Sequence, residues 1–190
     1  MSAEAAGRRP RERLTLGGVT EAAIGLVDTS GFEALSLSSL AAELGVRPSA
    51  LYTYVEGLDG LRYTVAVAST ENLTVAVRNA AIGTAGDDAL EAIGGAYRGF
   101  ALGHPGQFAS TLLPPRAPND DLARANRGVL DVFVLVYGAM GLEPDRAHLA
   151  ARSTRSAIHG FLALEHTAGS TATHDAEYQH LLETLRRGLG

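Results

Sequence analysis

The chain has 190 residues, with 21 acidic and 16 basic side chains, a net charge of −5, and no cysteine or tryptophan. Without cysteine it has no disulfides, thiolate zinc sites or cysteine nucleophiles. The longest uninterrupted apolar run, Val132 to Leu142, is eleven residues with two glycines, short of the roughly 20 needed to span a bilayer.

Residues 1–13 are polar and read as a flexible arm in which Arg8, Arg9, Arg11 and Arg13 cluster. They do not resemble a signal peptide, and a cytoplasmic location is expected. A first helix is predicted from about Leu14 to Thr29, with Leu16, Val19, Ala23, Leu26 and Val27 on one face and Gly31 ending it. Ser36 can cap a second helix, whose apolar stripe is Leu37, Leu40, Ala41 and Leu44. Gly45 suits the turn that follows, and Pro48 suits the first turn of a third helix. There Leu51 and Val55 form the buried side, leaving Ser49, Ala50, Thr53 and Tyr54 on the others. A short helix with small, hydroxylated and aromatic side chains outward is what a major groove admits.

A long helix is predicted from about Leu58 to Ala81. Its β-branched residues could suggest a strand, but its length and the lack of turn residues before Gly83 favour helix. Asp87-Asp88 is expected to cap a helix through Leu102, stopped by His104-Pro105-Gly106, and Leu113 to Pro118 reads as a linker. Further helices are expected from Asn119-Asp120-Asp121 to near Gly141, from Pro144-Asp145 to about Thr167, and from Ala172 to Leu189. The fold class is all-α, with roughly nine helices. A three-helix helix-turn-helix domain (14–57) follows the arm, and a helical domain (58–190) follows that.

The order and spacing of Gly31-Phe32, Leu35-Ser36, Leu40-Ala41, Gly45-Val46, Leu51-Tyr52 and Tyr54 resemble the helix-turn-helix of the TetR family of transcriptional regulators. Two further segments resemble one C-terminal domain class of that family, the WHG type. One is Ala96 to Ala101 with His104-Pro105-Gly106; the other is Arg155 to Phe161 with Leu164-Glu165. The class's name-giving Trp is absent.

The resemblance implies a homodimeric, ligand-responsive repressor that binds a palindromic double-stranded DNA operator. Base contacts would come from Arg47, Ser49, Ala50 and Thr53. Tyr52 and Tyr54 would meet phosphates, and Ser36, Ser38 and Ser39 would meet phosphates or bases. The family's phosphate-binding Lys at the start of the fourth helix is replaced by Leu58. The acidic balance counts against nucleic acid unless the charges segregate. Every basic residue is Arg, which binds phosphate through two parallel hydrogen bonds.

By the same resemblance a small, mostly apolar effector would sit among Tyr97, Phe100, His104, Phe108, Phe133, Tyr137, Met140 and His159. The alternative for each of these residues is ordinary core. The last two helices would pair between copies through Ala151, Thr154, Ile158, Phe161, Leu162, Leu181, Leu182 and Leu185, although such stripes could also face the chain's own core. No cofactor is expected. The six histidines lack metal-ligand spacing, and no G-x-S-x-G elbow is present, so neither a metal site nor an enzyme is expected. The rival reading is a small-molecule-binding helical protein with weak or lost DNA binding.

Overall fold

The structure is a computed structural model that describes residues 14–118, 120–167 and 174–188. The expected Arg-rich arm at 1–13, Asn119, the expected loop at 169–173 and Leu189 lie outside the described residues. The elements are α1 (Leu16–Ser30), α2 (Leu37–Glu43), α3 (Pro48–Leu51), α4 (Gly57–Ala81), α5 (Gly86–Gly103), α6 (Pro105–Ser110), α7 (Asp121–Ala139), α8 (Pro144–Thr167) and α9 (Asp175–Arg187). Among the described residues there is no strand, and no helix is long and apolar enough to cross a membrane.

Two hydrophobic cores organise the chain. The first gathers Val19, Ala23 and Val27 of α1, Leu40 and Ala41 of α2, Leu51 of α3, and Leu61 and Val65 of α4. The second gathers Leu73 and Val77 of α4 with α5, α7, α8 and α9 around Tyr97, Phe108, Phe133 and Tyr137. Thus α4 belongs to both. Its residues Leu61, Val65, Ser69, Leu73 and Val77 recur every four positions and are all buried. That spacing is helical and removes the strand alternative. The hydroxyls of Thr64, Thr70 and Thr74 donate to carbonyls four residues back, so these β-branched residues keep their polar groups satisfied within the helix.

Two expectations are corrected at the junction of α5 and α6. Asp87-Asp88 does not cap α5: Ala85 occupies that position and Asp87 and Asp88 lie inside the first turn, where negative charge still suits the helix dipole. His104-Pro105-Gly106 does not simply stop a helix either. His104 is the pivot, and Pro105 begins α6 at once. Pro105 suits a helix start because its absent N–H leaves no donor unpaired there. Gly106 has a separate reason: a Cβ on it would lie 1.8 Å from the Val27 carbonyl oxygen.

The C-terminal helix is pinned by polar contacts. The Tyr178 hydroxyl donates to the Gly94 carbonyl at 2.6 Å, and Leu182 fills the space a Gly94 side chain would occupy. Arg98 of α5 donates to Glu165 of α8 at 2.8 Å and also pairs with Asp175 of α9, while its guanidinium lies over the Tyr178 ring.

Candidate nucleic-acid interface and effector region

The reading head begins with a cap. Ser36 Oγ accepts from the Ser39 N–H at 3.0 Å, and the Ser39 hydroxyl accepts from the Ser36 N–H at 3.2 Å. This reciprocal box holds two backbone donors at the start of α2. Gly45, at φ 63°, then turns the chain in a conformation that favours glycine. The Val46 N–H donates to the Ala41 carbonyl at 2.9 Å, closing the turn. Leu51 and Val55 are buried beneath α3, so its opposite side is directed outward.

On that outer side Arg47, Ser49, Tyr52 and Thr53 are exposed and Ala50 is half-buried. Arg47 stands at the N-cap of α3 but makes no side-chain capping bond. Ser38 is exposed, whereas Ser36 and Ser39 are half-buried and tied into the capping box. Tyr54 differs from the expectation. Its hydroxyl donates to the Leu14 carbonyl at 2.8 Å, and a phosphate oxygen can only accept. A phosphate contact there would cost that bond. Leu58, where the family has Lys, is half-buried and packs on the first core.

The eight residues expected to line an effector pocket separate into groups. Tyr97, Phe108, Phe133 and Tyr137 have no exposed surface, and Phe100 is nearly buried. His159 sits among them: its Nδ1 is 2.8 Å from the Tyr97 hydroxyl, and its ring faces Phe108. Burial, assisted by nearby Arg155, holds the His159 imidazole down at about 4, so it is neutral at pH 7. Tyr137 meets Thr154 oxygen to oxygen at 2.6 Å. Met140 is half-buried at the edge of this core. His104 stands at the edge: it is half exposed, its ring packs against Phe100 with centroids 5.3 Å apart, and its Nδ1 lies 3.0 Å from Asp28 of α1.

The expected dimer stripe is also corrected. Ala151, Thr154, Ile158, Leu162 and Leu182 are buried in the chain's own core, because that side of α8 faces α5 and α7 and that side of α9 faces α5 and α8. Phe161, Leu181 and Leu185 are half-buried around the same core. The outward stripe of α8 is instead Leu149, Ser153, Ser156, Gly160 and Leu164, and its two leucines are 67% and 72% exposed. A Cβ on Gly160 would meet nothing within 4 Å, so this face is open.

Sequence reasoning missed the joint between the two cores. Asp28 Oδ2 on α1 accepts from Gln107 Nε2 on α6 at 2.8 Å, and Gln107 Oε1 accepts from Asn72 on α4 at 2.9 Å. Pro105 at a helix-starting position was the available signal, since it pointed to a helix that would present Gln107.

The family model for the tetracyclin repressor-like C-terminal domain matches residues 90–185. An HTH-type transcriptional regulator of Mycobacterium tuberculosis is 31% identical over 177 residues, covering 87% of this chain and 81% of that protein. Among solved structures, BioQ with its double-stranded DNA operator superposes with a TM-score of 0.68 at 20% identity, covering 93% of this chain and 98% of that one. A single-residue variant of TetR from Acinetobacter baumannii AYE, in complex with minocycline, superposes at 0.70 and 20% identity, with 92% of each chain covered. With a helix-turn-helix at the front, this C-terminal match and these relatives, the chain belongs to the TetR family of DNA-binding transcriptional regulators rather than to a class of enzymes.

Proposed function

We propose that the protein is a cytoplasmic, ligand-responsive repressor that binds a palindromic operator as a homodimer. The observation that carries this reading is the outward set Arg47, Ser49, Tyr52 and Thr53 on a short helix held by buried Leu51 and Val55. Arg47, with no capping bond to satisfy, reaches a base edge; Ser49, Ala50 and Thr53 fit against the groove; Tyr52 and Ser38 meet phosphate. Ser36 and Ser39 act mainly by holding α2.

Two copies pair through the exposed α8 stripe from Leu149 to Leu164. Small residues between two leucines let the helices approach closely, as in bundle packing. The two reading heads then fall about 34–36 Å apart, one turn of B-DNA. BioQ is bound to its own operator and the Acinetobacter TetR variant to minocycline, which supports the two halves of the reading by likeness. For an apolar effector the receptive region is the cluster of Tyr97, Phe100, Phe108, Phe133, Tyr137 and Met140, with the neutral His159 and Tyr97 supplying hydrogen bonds. The cluster is closed by packing, so entry requires α5, α7 and α8 to part. The ligand shifts the reading heads only by its difference in affinity between the two arrangements.

The test is fluorescence anisotropy of the full chain with the duplex upstream of its own gene, against a scrambled duplex at two salt concentrations. Preferential binding that Arg47→Ala removes selectively supports the reading. Equal binding to both duplexes moves the rival, a small-molecule-binding protein without DNA recognition, to the front. Light scattering checks the dimer: a Leu149→Glu, Leu164→Glu double variant is expected to be monomeric.

A further inference from the structure

The chain carries −5 overall, yet one cleft concentrates a quarter of its arginines. It lies between the α6–α7 connection, α7 and α8, and has a volume of about 590 Å³. Its lining includes Arg116, Arg127, Arg152 and Arg155 with Asn126 and, at the edge shared with the proposed α8 pairing stripe, Ser156; it contains no acidic residue.

Among the described residues none of these four guanidinium groups is ion-paired with a carboxylate, whereas Arg62, Arg98, Arg124, Arg186 and Arg187 are. Three of them have neutral partners. Arg127 donates to the Pro118 carbonyl at 3.1 Å, and Arg155 to the Asn126 backbone and side-chain oxygens. Arg116 donates to the Asp59 carbonyl at 2.8 Å and rests over the Tyr63 ring. One neighbouring carboxylate, that of Asp120, accepts from the N–H groups of Arg116, Ala117 and Ala123. Those donors outweigh its desolvation and hold it ionised down to about 2, so it caps α7 and offsets at most one of the four positive charges.

Four like charges facing one space repel one another unless an anion enters. Guanidinium forks match phosphate and carboxylate groups bidentately, and 590 Å³ suits a metabolite rather than a single ion. We propose that this cleft is a binding site for a small polyanion, a phosphate- or carboxylate-bearing metabolite. The cleft adjoins the aromatic cluster at Arg155, which also acts on Tyr97 and His159, but shares none of the cluster's aromatic residues. Its existence does not depend on the repressor reading, because it is assayed without DNA.

The experiment is isothermal titration calorimetry on the full chain at constant ionic strength, with inorganic pyrophosphate and citrate as probes. They distinguish a phosphate site from a carboxylate site. Arg127 and Arg152 are exposed, so an Arg127→Gln, Arg152→Gln variant leaves both cores intact. The expected result is saturable binding of one probe per chain, weakened about tenfold or more in this variant and unchanged in Arg78→Gln, which removes one charge outside the cleft. No saturable binding of either probe, or equal weakening by Arg78→Gln, overturns the site. If the double variant leaves the probe isotherms alone but lowers affinity for a duplex and its salt slope, the arginines meet DNA phosphates and the proposal fails. If it instead dissociates the dimer, they meet carboxylates of a second copy, and the proposal fails equally.

Discussion

Replacing Gly106 by alanine puts a methyl group where the Val27 carbonyl already stands. The added Cβ would lie 1.8 Å from that oxygen, 2.4 Å from its carbon and 3.2 Å from the Asp28 nitrogen. Carbon–oxygen contacts settle near roughly 3.3 Å, so α6 must retreat from α1 by about 1.5 Å. All three atoms are helical backbone, and none can yield by rotating a side chain. Val27 and Phe108 flank the contact with no exposed surface, so the retreat loosens both cores. Overpacking costs about 1–3 kcal/mol, and a backbone-on-backbone clash belongs at the upper end. For a domain of this size about 3 kcal/mol lowers Tm by about 6–12 °C. The control is Gly99→Ala on α5, where a Cβ meets nothing within 4 Å. There the same substitution is expected to stabilise by about 0.5–1 kcal/mol through helix propensity alone. Thermal unfolding followed by circular dichroism reads both. A Gly106→Ala protein that melts within a degree of wild type would refute the close-approach argument.

Three further outcomes are expected. Arg98→Met strands the Glu165 carboxylate, which is 9% exposed, and should cost about 3–5 kcal/mol in urea unfolding; Arg98→Met with Glu165→Leu should recover most of it, and a double variant as unstable as the single one would show that the charge is not the issue. His159 titrates near 4 in the fold against 6.5 unfolded, so its contribution is complete above 6.5 and is lost as pH falls towards 4. Wild type should therefore lose about 1.5 kcal/mol more than His159→Gln between pH 6.5 and pH 5 in denaturant titrations, and parallel losses would contradict the buried neutral imidazole. Ser36→Ala opens the capping box and should cost about 1 kcal/mol while weakening duplex binding in anisotropy; unchanged values in both would mean that α2 needs no cap.

The helices and the reading head were legible in the sequence because their signals are local. Apolar spacing of three and four marks the buried sides of α1, α2 and α4, Ser36 and Pro48 mark helix starts, and Gly45 marks the turn. Each depends on a neighbour within about one turn, where chain geometry alone sets the distances. Which apolar stripe meets which partner is not local. Ala151, Ile158 and Leu162 on α8 carry the period a dimer seam would carry, yet α5 and α7 cover them, and the side of α8 left open is the less apolar line from Leu149 to Leu164. His104, expected in the pocket by resemblance, packs on Phe100 at the core's edge, and the start of α6 at Pro105 leaves its Nδ1 beside Asp28. The arginine cleft draws on positions from 115 to 156, and no pattern in a single stretch announces it. Periodicity determines that a face is buried; only the packing of whole helices decides what buries it and which charges are left facing one another.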